Sequence, residues 1–291
     1  MPRLAVIGFP VAHSRSPAMQ NAALETLGLA GEWSYRAVEA TPAAFEMTVR
    51  ELASLGYAGV NVTVPHKEAA LALADEASDA ARAIGAANTL SFSGKRIAAD
   101  NTDAAGLLAS LPGPIPNPRA LVLGAGGAAR AAIWALAHAE PPPDGNLPFV
   151  TQRVTKGREG PGFQVDVWNR TRSRAEAVFE QLGGPASLGG AVVEAPAQSA
   201  YGIVVNTTAV GLHGEDPFAE LPLDPAAFAA GQVVVDMVYG DRPSALLAAA
   251  AAAGATTVDG LEVLVQQGAL SLRTWTGLEP PIEAMRAAAR A

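Results

Sequence analysis

The chain has 291 residues, 49% hydrophobic and 16% charged, so we expect a globular protein with a large core and two domains rather than a disordered chain. Its 20 basic and 28 acidic residues give a net charge of −8, which argues against nucleic acid or an acidic membrane as a partner. It has no cysteine, which excludes disulfides and thiol catalysis, and its four histidines form no ligand motif, so we expect no metal.

The first hundred residues alternate predicted strands and helices. "RLAVIG" predicts a strand, and a helix begins at Ser16 with a proline in its first turn. "WSYRAVE" predicts a strand, "AFEMTVRELASLG" a helix, and "GVNVTV" a strand that Pro65 ends. A helix near Lys67, a hairpin in "ANTLSFSGKRIAADN" that turns at Ser93-Gly94, and a short helix in "DAAGLLASL" complete this half.

A proline-rich stretch, "PGPIPNPR", marks a boundary, and a second alternation follows it. The candidate strands are "ALVLG", "QVDVWNRT", "GIVVNTT" and "QVVVDMVYG", and the last forty residues have helical patterns. Continuous apolar strands joined by helices are typical of a parallel sheet covered on both faces.

The segment "VLGAGGAAR" places Gly124, Gly126 and Ala129 in a GxGxxA pattern between a strand and a helix. The first glycine permits a tight turn, the second lets the backbone approach a pyrophosphate, and the small third residue lets helix and strand pack closely. The alternative is a glycine-rich structural turn. The strand before the loop and the helix after it favour dinucleotide binding, so we predict an α/β protein with an N-terminal α/β domain and a doubly wound Rossmann dinucleotide-binding domain.

The residues after the next strand distinguish the cofactors. An NAD site places an acidic residue there, whereas "WNRTRSRAE" supplies Asn169, Arg170, Thr171, Arg172 and Arg174. Two of those arginines could clamp a 2′-phosphate. A solvated basic first turn is the alternative, but the N-terminus of a helix is unfavourable for cations. The prediction is NADP.

Polar residues in the first domain follow strands or begin helices. Lys67 alone could be a solvated surface charge or a catalytic group at the carboxyl end of a strand. Its neighbours in such a site would be Thr63, Asn88 and Asp103, which together could surround a polyhydroxylated ring.

Ser14 and Ser16 stand between the first strand and the first helix. Hydroxyl groups beside helix amides suit a carboxylate ligand. Ordinary N-capping by Ser16 explains the same pattern equally well.

Nine segments in order give a family resemblance: "GFPVAHSRSPAMQN", "GVNVTVPHKE", "GAANTL", "DNTDAAG", "LGAGGAAR", "NRTRSR", "NTTAVG", "DMVY" and "DGLEVLVQQGA". Over nearly its whole length the chain resembles shikimate dehydrogenases. The resemblance implies a two-domain enzyme that reduces 3-dehydroshikimate to shikimate with NADPH. That reaction belongs to the pathway to chorismate and the aromatic amino acids. Because the N-terminus becomes polar too soon for a signal peptide and the alanine-rich runs are too short to span a membrane, we expect a cytoplasmic protein, monomer or homodimer.

The resemblance also implies roles for single residues. It makes Lys67 and Asp103 the catalytic pair. The implied substrate contacts are Ser14, Ser16 and Tyr239 for the carboxylate, and Thr63, Asn88 and Gln267 for the ring hydroxyls and the reacting lysine. The implied cofactor contacts are Gly124, Ala125, Gly126, Gly127, Ala128, Asn169, Arg170, Thr171, Arg174, Met237 and Gly260.

The predicted division assigns residues 1–103, completed by helices at about 260–291, to substrate binding and catalysis. Residues 104–259 form the NADP-binding domain, with an insertion at about 140–163 that is either a protruding hairpin or a mobile loop. Three alternatives stay open: a quinate/shikimate dehydrogenase with relaxed specificity, a non-catalytic sensor of shikimate-like ligands, and a dehydrogenase acting on a folate.

Overall fold

A computed structural model describes residues 2–113, 115–139, 162–240 and 242–291. The chain divides into two compact units, which are residues Met1–Gly106 with Leu264–Ala291 (unit 1) and residues Leu107–Val263 (unit 2). Both units are α/β, and the predicted fold class is confirmed. The possible hairpin or loop in the insertion falls within 140–161, outside the described residues.

The secondary structure alternates along most of the chain. The strands are β1 (Arg3–Gly8), β2 (Ser34–Glu39), β3 (Tyr57–Val62), β4 (Glu76–Ala77), β5 (Thr89–Ser93), β6 (Arg96–Asp100), β7 (Arg119–Leu123), β8 (Gln164–Trp168), β9 (Ile203–Asn206), β10 (Val233–Asp236) and β11 (Thr256–Asp259). The α-helices are α1 (Ser16–Thr26), α2 (Phe45–Ser54), α3 (Lys67–Leu73), α4 (Asp79–Ile84), α5 (Asp103–Ser110), α6 (Gly127–Ala137), α7 (Arg172–Gln181), α8 (Gly184–Leu188), α9 (Pro217–Glu220), α10 (Ala245–Ala252), α11 (Gly260–Thr276) and α12 (Ile282–Arg290). Short 3₁₀ turns occupy Gln198–Ala200 and Pro225–Ala227.

Unit 1 contains a mixed six-stranded sheet in the order β2-β1-β3-β5-β6-β4. Strand β1 pairs in parallel with β2 and β3, whereas β5 runs antiparallel to β3 and β6. The β5–β6 pair confirms the predicted hairpin. The core of unit 1 packs Ile7, Val60 and Leu90 of the sheet against Phe45 and Val49 of α2.

Unit 2 contains a five-stranded sheet in the order β11-β10-β9-β7-β8, and every pairing is parallel. Every residue of β9 and β10 is buried, and so is β7 after Arg119, as the continuous valine and leucine runs predict. One core cluster packs Leu121, Val204 and Val234 against Leu246 of α10.

Several elements differ from the sequence prediction. Strand β3 ends at Val62 rather than Val64, because the Thr63 carbonyl accepts from the His66 amide at 3.0 Å and starts a turn. Strands β4 and β11 and helix α4 were not predicted, since two to six residues give too little periodicity. None of the helices in the described part of the chain is both long and apolar enough to span a bilayer.

Candidate functional site

Because β1 and β3 are parallel, the polar segments that follow these two strands lie at the same end of the sheet. Beyond the strands the Phe9 amide donates to the Val64 carbonyl at 3.0 Å. A Cβ atom on Gly8 would come within 2.4 Å of the Thr63 side chain. Gly8 therefore lets Thr63 and the segment that leads to Ser14 lie against each other.

Lys67 is the first residue of α3, and its carbonyl accepts a hydrogen bond from the Ala87 amide at 2.8 Å. That bond fixes the start of α3 beside Asn88. The Lys67 Nζ atom lies 2.7 Å from Oδ2 of Asp103, and the two side chains are only 11% and 13% exposed. Partial burial reduces solvent screening, so the two groups interact more strongly than a surface pair.

Asp103 begins α5, but its side chain does not cap that helix. Asn101 does so, because its Oδ1 atom accepts from the amides of Asp103 at 3.1 Å and Ala104 at 3.3 Å. The Asp103 carboxylate is therefore available to other groups. Its Oδ2 atom accepts from Lys67, and its Oδ1 atom accepts from the Asn88 side-chain amide at 2.9 Å.

The buried Asn88 side chain connects three elements. Its amide nitrogen also lies 2.9 Å from Thr102 Oγ1 and 3.0 Å from Gln267 Oε1, while its oxygen accepts from the Thr102 amide at 2.7 Å. Gln267 reaches this position because Gly106 lets α5 and α11 touch: a Cβ there would lie 2.6 Å from the Gln267 backbone nitrogen. The structure thus joins Lys67, Asp103, Asn88 and Gln267 in one cluster within unit 1.

The two serines occupy the start of α1. Ser16 is buried and is the first residue of the helix, and its amide donates to Ser14 Oγ at 3.3 Å. The N-cap residue is Arg15, whose side chain makes no capping bond, and Ser16 follows it inside the helix, so the alternative that Ser16 serves as an ordinary cap is wrong.

The Tyr35 hydroxyl donates to Asn61 Oδ1 at 2.7 Å and interacts with the side chain of Ser16. Burial raises the pKa of the Tyr35 phenol well above its ordinary value, and the bond with Ser16 opposes that rise. Tyr35 is therefore a neutral phenol whose hydroxyl holds the Asn61 side chain.

Sequence reasoning missed Ser271, which is fully buried on α11. Its hydroxyl lies 2.9 Å from Asn61 Nδ2, 2.8 Å from Thr89 Oγ1 and 3.1 Å from Thr102 Oγ1. It links the Tyr35–Asn61 contact to the Asn88 cluster. The available signal was its spacing, since it follows Gln267 by four residues and shares its helix face.

In unit 2 the glycine loop joins β7 to α6. Gly124 has a φ of 124°, and a Cβ there would lie 2.3 Å from Thr207 Oγ1. Gly126 precedes α6 without a side-chain cap, and nothing lies within 4 Å of where its Cβ would be. The first amides of α6, at Gly127 and Ala128, are thus left without a capping side chain, which fits a dinucleotide pyrophosphate.

The basic segment that follows β8 and runs into the first turn of α7 contains three arginines in different surroundings. Arg172 pairs with Glu176 at 2.7 Å and with Glu194 at 2.8 Å. Arg170 is 82% exposed, with Glu220 at 3.7 Å.

Arg174 is also exposed, and Thr171, the residue before α7, makes no capping bond with its side chain. The Asn169 amide holds the Thr171 carbonyl at 2.9 Å and so shapes the turn. Of the three arginines, Arg170 and Arg174 are better placed than Arg172 to receive a phosphate.

Met237, Tyr239 and Gly260 lie near the carboxyl ends of β10 and β11. Met237 and Tyr239 follow β10 and are half-buried. A Cβ on Gly260 would lie 2.5 Å from the Met237 carbonyl oxygen, so only glycine lets the start of α11 lie against this segment.

Two family models match the chain. "Shikimate dehydrogenase substrate binding domain" matches residues 6–90, and "Shikimate 5'-dehydrogenase C-terminal domain" matches residues 260–290. Both matched ranges contain residues of the Asn88 and Gln267 cluster.

Curated and solved relatives cover nearly the whole chain. A shikimate dehydrogenase (NADP(+)) of Brucella melitensis is 40% identical over 95% of this chain and 89% of its own length. The crystal structure of Thermus thermophilus shikimate 5-dehydrogenase, in complex with NADP(H) and shikimate, is 41% identical with a TM-score of 0.81 and covers 100% of this chain and 99% of that one. A Corynebacterium glutamicum quinate dehydrogenase in complex with NAD is 28% identical, with a TM-score of 0.79 and coverage of 99% and 98%.

Proposed function

The chain belongs to the shikimate dehydrogenase family, and we propose that it catalyses the reversible reduction of 3-dehydroshikimate to shikimate with NADPH. The observation that carries this proposal is the cluster in which Asn88 and Lys67 hold the two oxygens of the Asp103 carboxylate. The relatives at about 40% identity, named for this activity with NADP(+), support the substrate and the cofactor. The reaction belongs to chorismate and aromatic amino acid biosynthesis.

We assign substrate binding and catalysis to residues 1–103 with about 260–291, and NADP binding to residues 104–259. In the first set, Ser14 and Ser16 bind the substrate carboxylate, and we assign Tyr239, which belongs to the second set, to the same group. The contacts to the ring hydroxyls come from Thr63, Asn88 and Gln267.

NADPH, when bound, supplies the hydride that converts the substrate carbonyl to an alkoxide. Lys67 donates the proton that neutralises this oxygen, and its positive charge stabilises the oxygen as negative charge develops there. In the oxidation direction the same amine accepts the hydroxyl proton. Asp103 holds the Lys67 Nζ atom at 2.7 Å, and Asn88 fixes the carboxylate from its other side.

The cofactor side of the proposal rests on unit 2. Gly124 through Ala128 form the pyrophosphate loop, and Met237 and Gly260 flank the nicotinamide. The 2′-phosphate is received by Asn169, Arg170, Thr171 and Arg174. The absence of an acidic residue from "WNRTRSR" and the exposure of Arg170 favour NADP over NAD.

Mixing the protein with NADP and shikimate tests the proposal directly. An increase in absorbance at the NADPH band is expected, and binding without that increase would show a sensor instead. The same assay with quinate and with NAD measures specificity. We expect shikimate with NADP to give the highest kcat/KM, and a higher value with quinate or NAD would contradict the assignment.

A further inference from the structure

A buried aspartate in unit 2 has no role in the reaction described above. Asp236, the last residue of β10, is only 1% exposed. Its Oδ1 atom accepts from the Asn206 side-chain amide at 2.9 Å and from the Val238 amide at 3.1 Å. Its Oδ2 atom accepts from the Ser244 hydroxyl at 2.5 Å.

These three donors come from three places in the fold. Asn206 ends the neighbouring strand β9, Val238 lies in the segment after β10, and Ser244 caps α10 by accepting from the Leu247 amide at 3.2 Å. The carboxylate therefore holds both ends of the connection between β10 and α10. The positive end of the α10 dipole further favours an anion at this position.

The segment held in this way contains Met237 and Tyr239. The Met237 amide donates to the Asn206 carbonyl at 2.9 Å, and the next amide, of Val238, donates to Asp236. On the other side the start of α11 packs directly against the Met237 backbone. A Cβ atom added to Gly260 would lie only 2.5 Å from the Met237 carbonyl oxygen. The two consecutive peptide groups on either side of Met237 are thus fixed, and with them the starting point of the Met237 side chain, two residues before Tyr239.

We propose that Asp236 is a positioning residue that sets the conformation of the Met237–Tyr239 segment for the dehydrogenase reaction. The inference rests on the proposed function, in which Tyr239 binds the substrate carboxylate and Met237 flanks the nicotinamide. Asp236 acts through these residues and touches neither ligand.

The energetics agree with this role. Burial raises the pKa of the Asp236 carboxyl above the usual aspartate value, and the bonds from Ser244, Val238 and Asn206 partly oppose the rise. The pKa of this carboxyl is higher in the folded than in the unfolded chain. The free energy of unfolding therefore falls as the pH rises above about 4, because ionisation is more costly in the folded state. A buried carboxylate that reduces stability while ordering a segment near a reaction site is a common mark of a functional position.

The test compares two changes at Asp236 with a matched control. Asp236→Ala removes all three hydrogen bonds. In Asp236→Asn the Oδ1 atom still accepts from Asn206 and Val238, and the new side-chain amide can donate to the Ser244 hydroxyl oxygen. The control is Asp224→Ala, which removes an exposed aspartate that accepts from the Ala226 amide at 2.8 Å elsewhere in unit 2.

Three measurements are made on each variant of the whole chain. We expect Asp236→Ala to lower kcat/KM for shikimate at least tenfold while the affinity for adenosine 2′,5′-bisphosphate stays within twofold, because that ligand lacks the nicotinamide. Asp236→Asn should recover most of the loss, and Asp224→Ala should match the wild type. Hydrogen exchange at the Val238 amide should quicken at least tenfold in Asp236→Ala alone.

Several results would overturn the inference. One is faster exchange with unchanged kcat/KM, another is lost activity without faster exchange, and a third is an equal loss of bisphosphate affinity, which would mean a general defect of unit 2. If Asp236→Ala does not fold, Ser244→Ala takes its place, and we expect it to lower kcat/KM about threefold. An unchanged kcat/KM in Ser244→Ala would contradict the positioning role. A wild-type protein inactive on shikimate would refute the proposed function instead, while the exchange measurement would still report on the segment.

Discussion

Lys67 and Asp103 form a contact of 2.7 Å between Nζ and Oδ2, although they belong to different helices and are 36 residues apart. Each of the two residues begins its helix, α3 or α5, and the helices start near one edge of the unit 1 sheet. Asn88 donates to the second carboxylate oxygen of Asp103. The carboxylate is thus held on both sides, and the lysine amine is kept in one place.

Replacing Lys67 with methionine should lower kcat by roughly 10²–10⁴-fold, because the proton donor acts mainly in the transition state. KM for shikimate should change only by a small factor. Steady-state rates of shikimate oxidation measure both values. The matched control is Lys95→Met in the exposed β5–β6 turn, which should leave both unchanged. Near wild-type turnover in Lys67→Met would remove this residue from the mechanism.

Replacing Arg170 and Arg174 with alanine should weaken NADPH far more than NADH. A charge-assisted hydrogen bond contributes about 1.5–3 kcal/mol, and the exposure of Arg170 favours the lower end, so we expect about tenfold for each arginine. KM values for the two cofactors provide the measurement. Arg172→Ala is the control, since that guanidinium already pairs with Glu176 and Glu194. Equal losses for NADPH and NADH would show that these arginines do not recognise the 2′-phosphate.

Gly106→Ala should destabilise the protein by about 1–3 kcal/mol, because its methyl group would overlap the Gln267 backbone where α5 meets α11. It should also lower kcat/KM, since Gln267 is held against Asn88 by that contact. Urea unfolding and steady-state rates measure the two effects. Gly113→Ala provides the control, because nothing lies within 4 Å of its Cβ position. Unchanged stability in Gly106→Ala would mean that the helices separate at little cost.

Replacing residues 140–161 with a short turn should leave the Michaelis constants for shikimate and NADP nearly unchanged. The described residues on either side already meet, since the Gly162 amide donates to the Ala137 carbonyl at 3.0 Å and the Phe163 amide to the Leu136 carbonyl at 2.9 Å. A connection from α6 to β8 returns to the amino ends of the parallel strands, whereas dinucleotides bind at the carboxyl ends. A several-fold change in NADP affinity in a folded deletion variant would contradict this placement.

The elements with strong periodicity or strong end signals were predictable. The valine-rich strands of unit 2, the glycine loop and the β5–β6 hairpin follow from patterns only a few residues long. Strand β4 has two residues and was missed for that reason. Helix α10 is an alanine and leucine run that is apolar on every side, so it has no amphipathic period, and it was not predicted.

The residues of the candidate site were also predictable only in part. Lys67 at a strand-to-helix junction was ambiguous by itself, and the family resemblance rather than any local pattern identified Asp103 as its partner. Neither Ser271 nor Asp236 was predicted, because an ordinary serine in a helix and an ordinary aspartate at the end of a strand carry no local signal.

The sequence alone determined the order of the longer strands and helices, the glycine loop and the arginines that favour NADP, since each depends on neighbours within a few positions. Only the tertiary structure decided which side chains meet. Asn88 and Gln267 are 179 residues apart, and their 3.0 Å contact exists because Gly106 has no side chain to separate α5 from α11. Hydrogen bonds require positions accurate to a few tenths of an ångström, and packing between distant segments, which no local pattern encodes, supplies that accuracy.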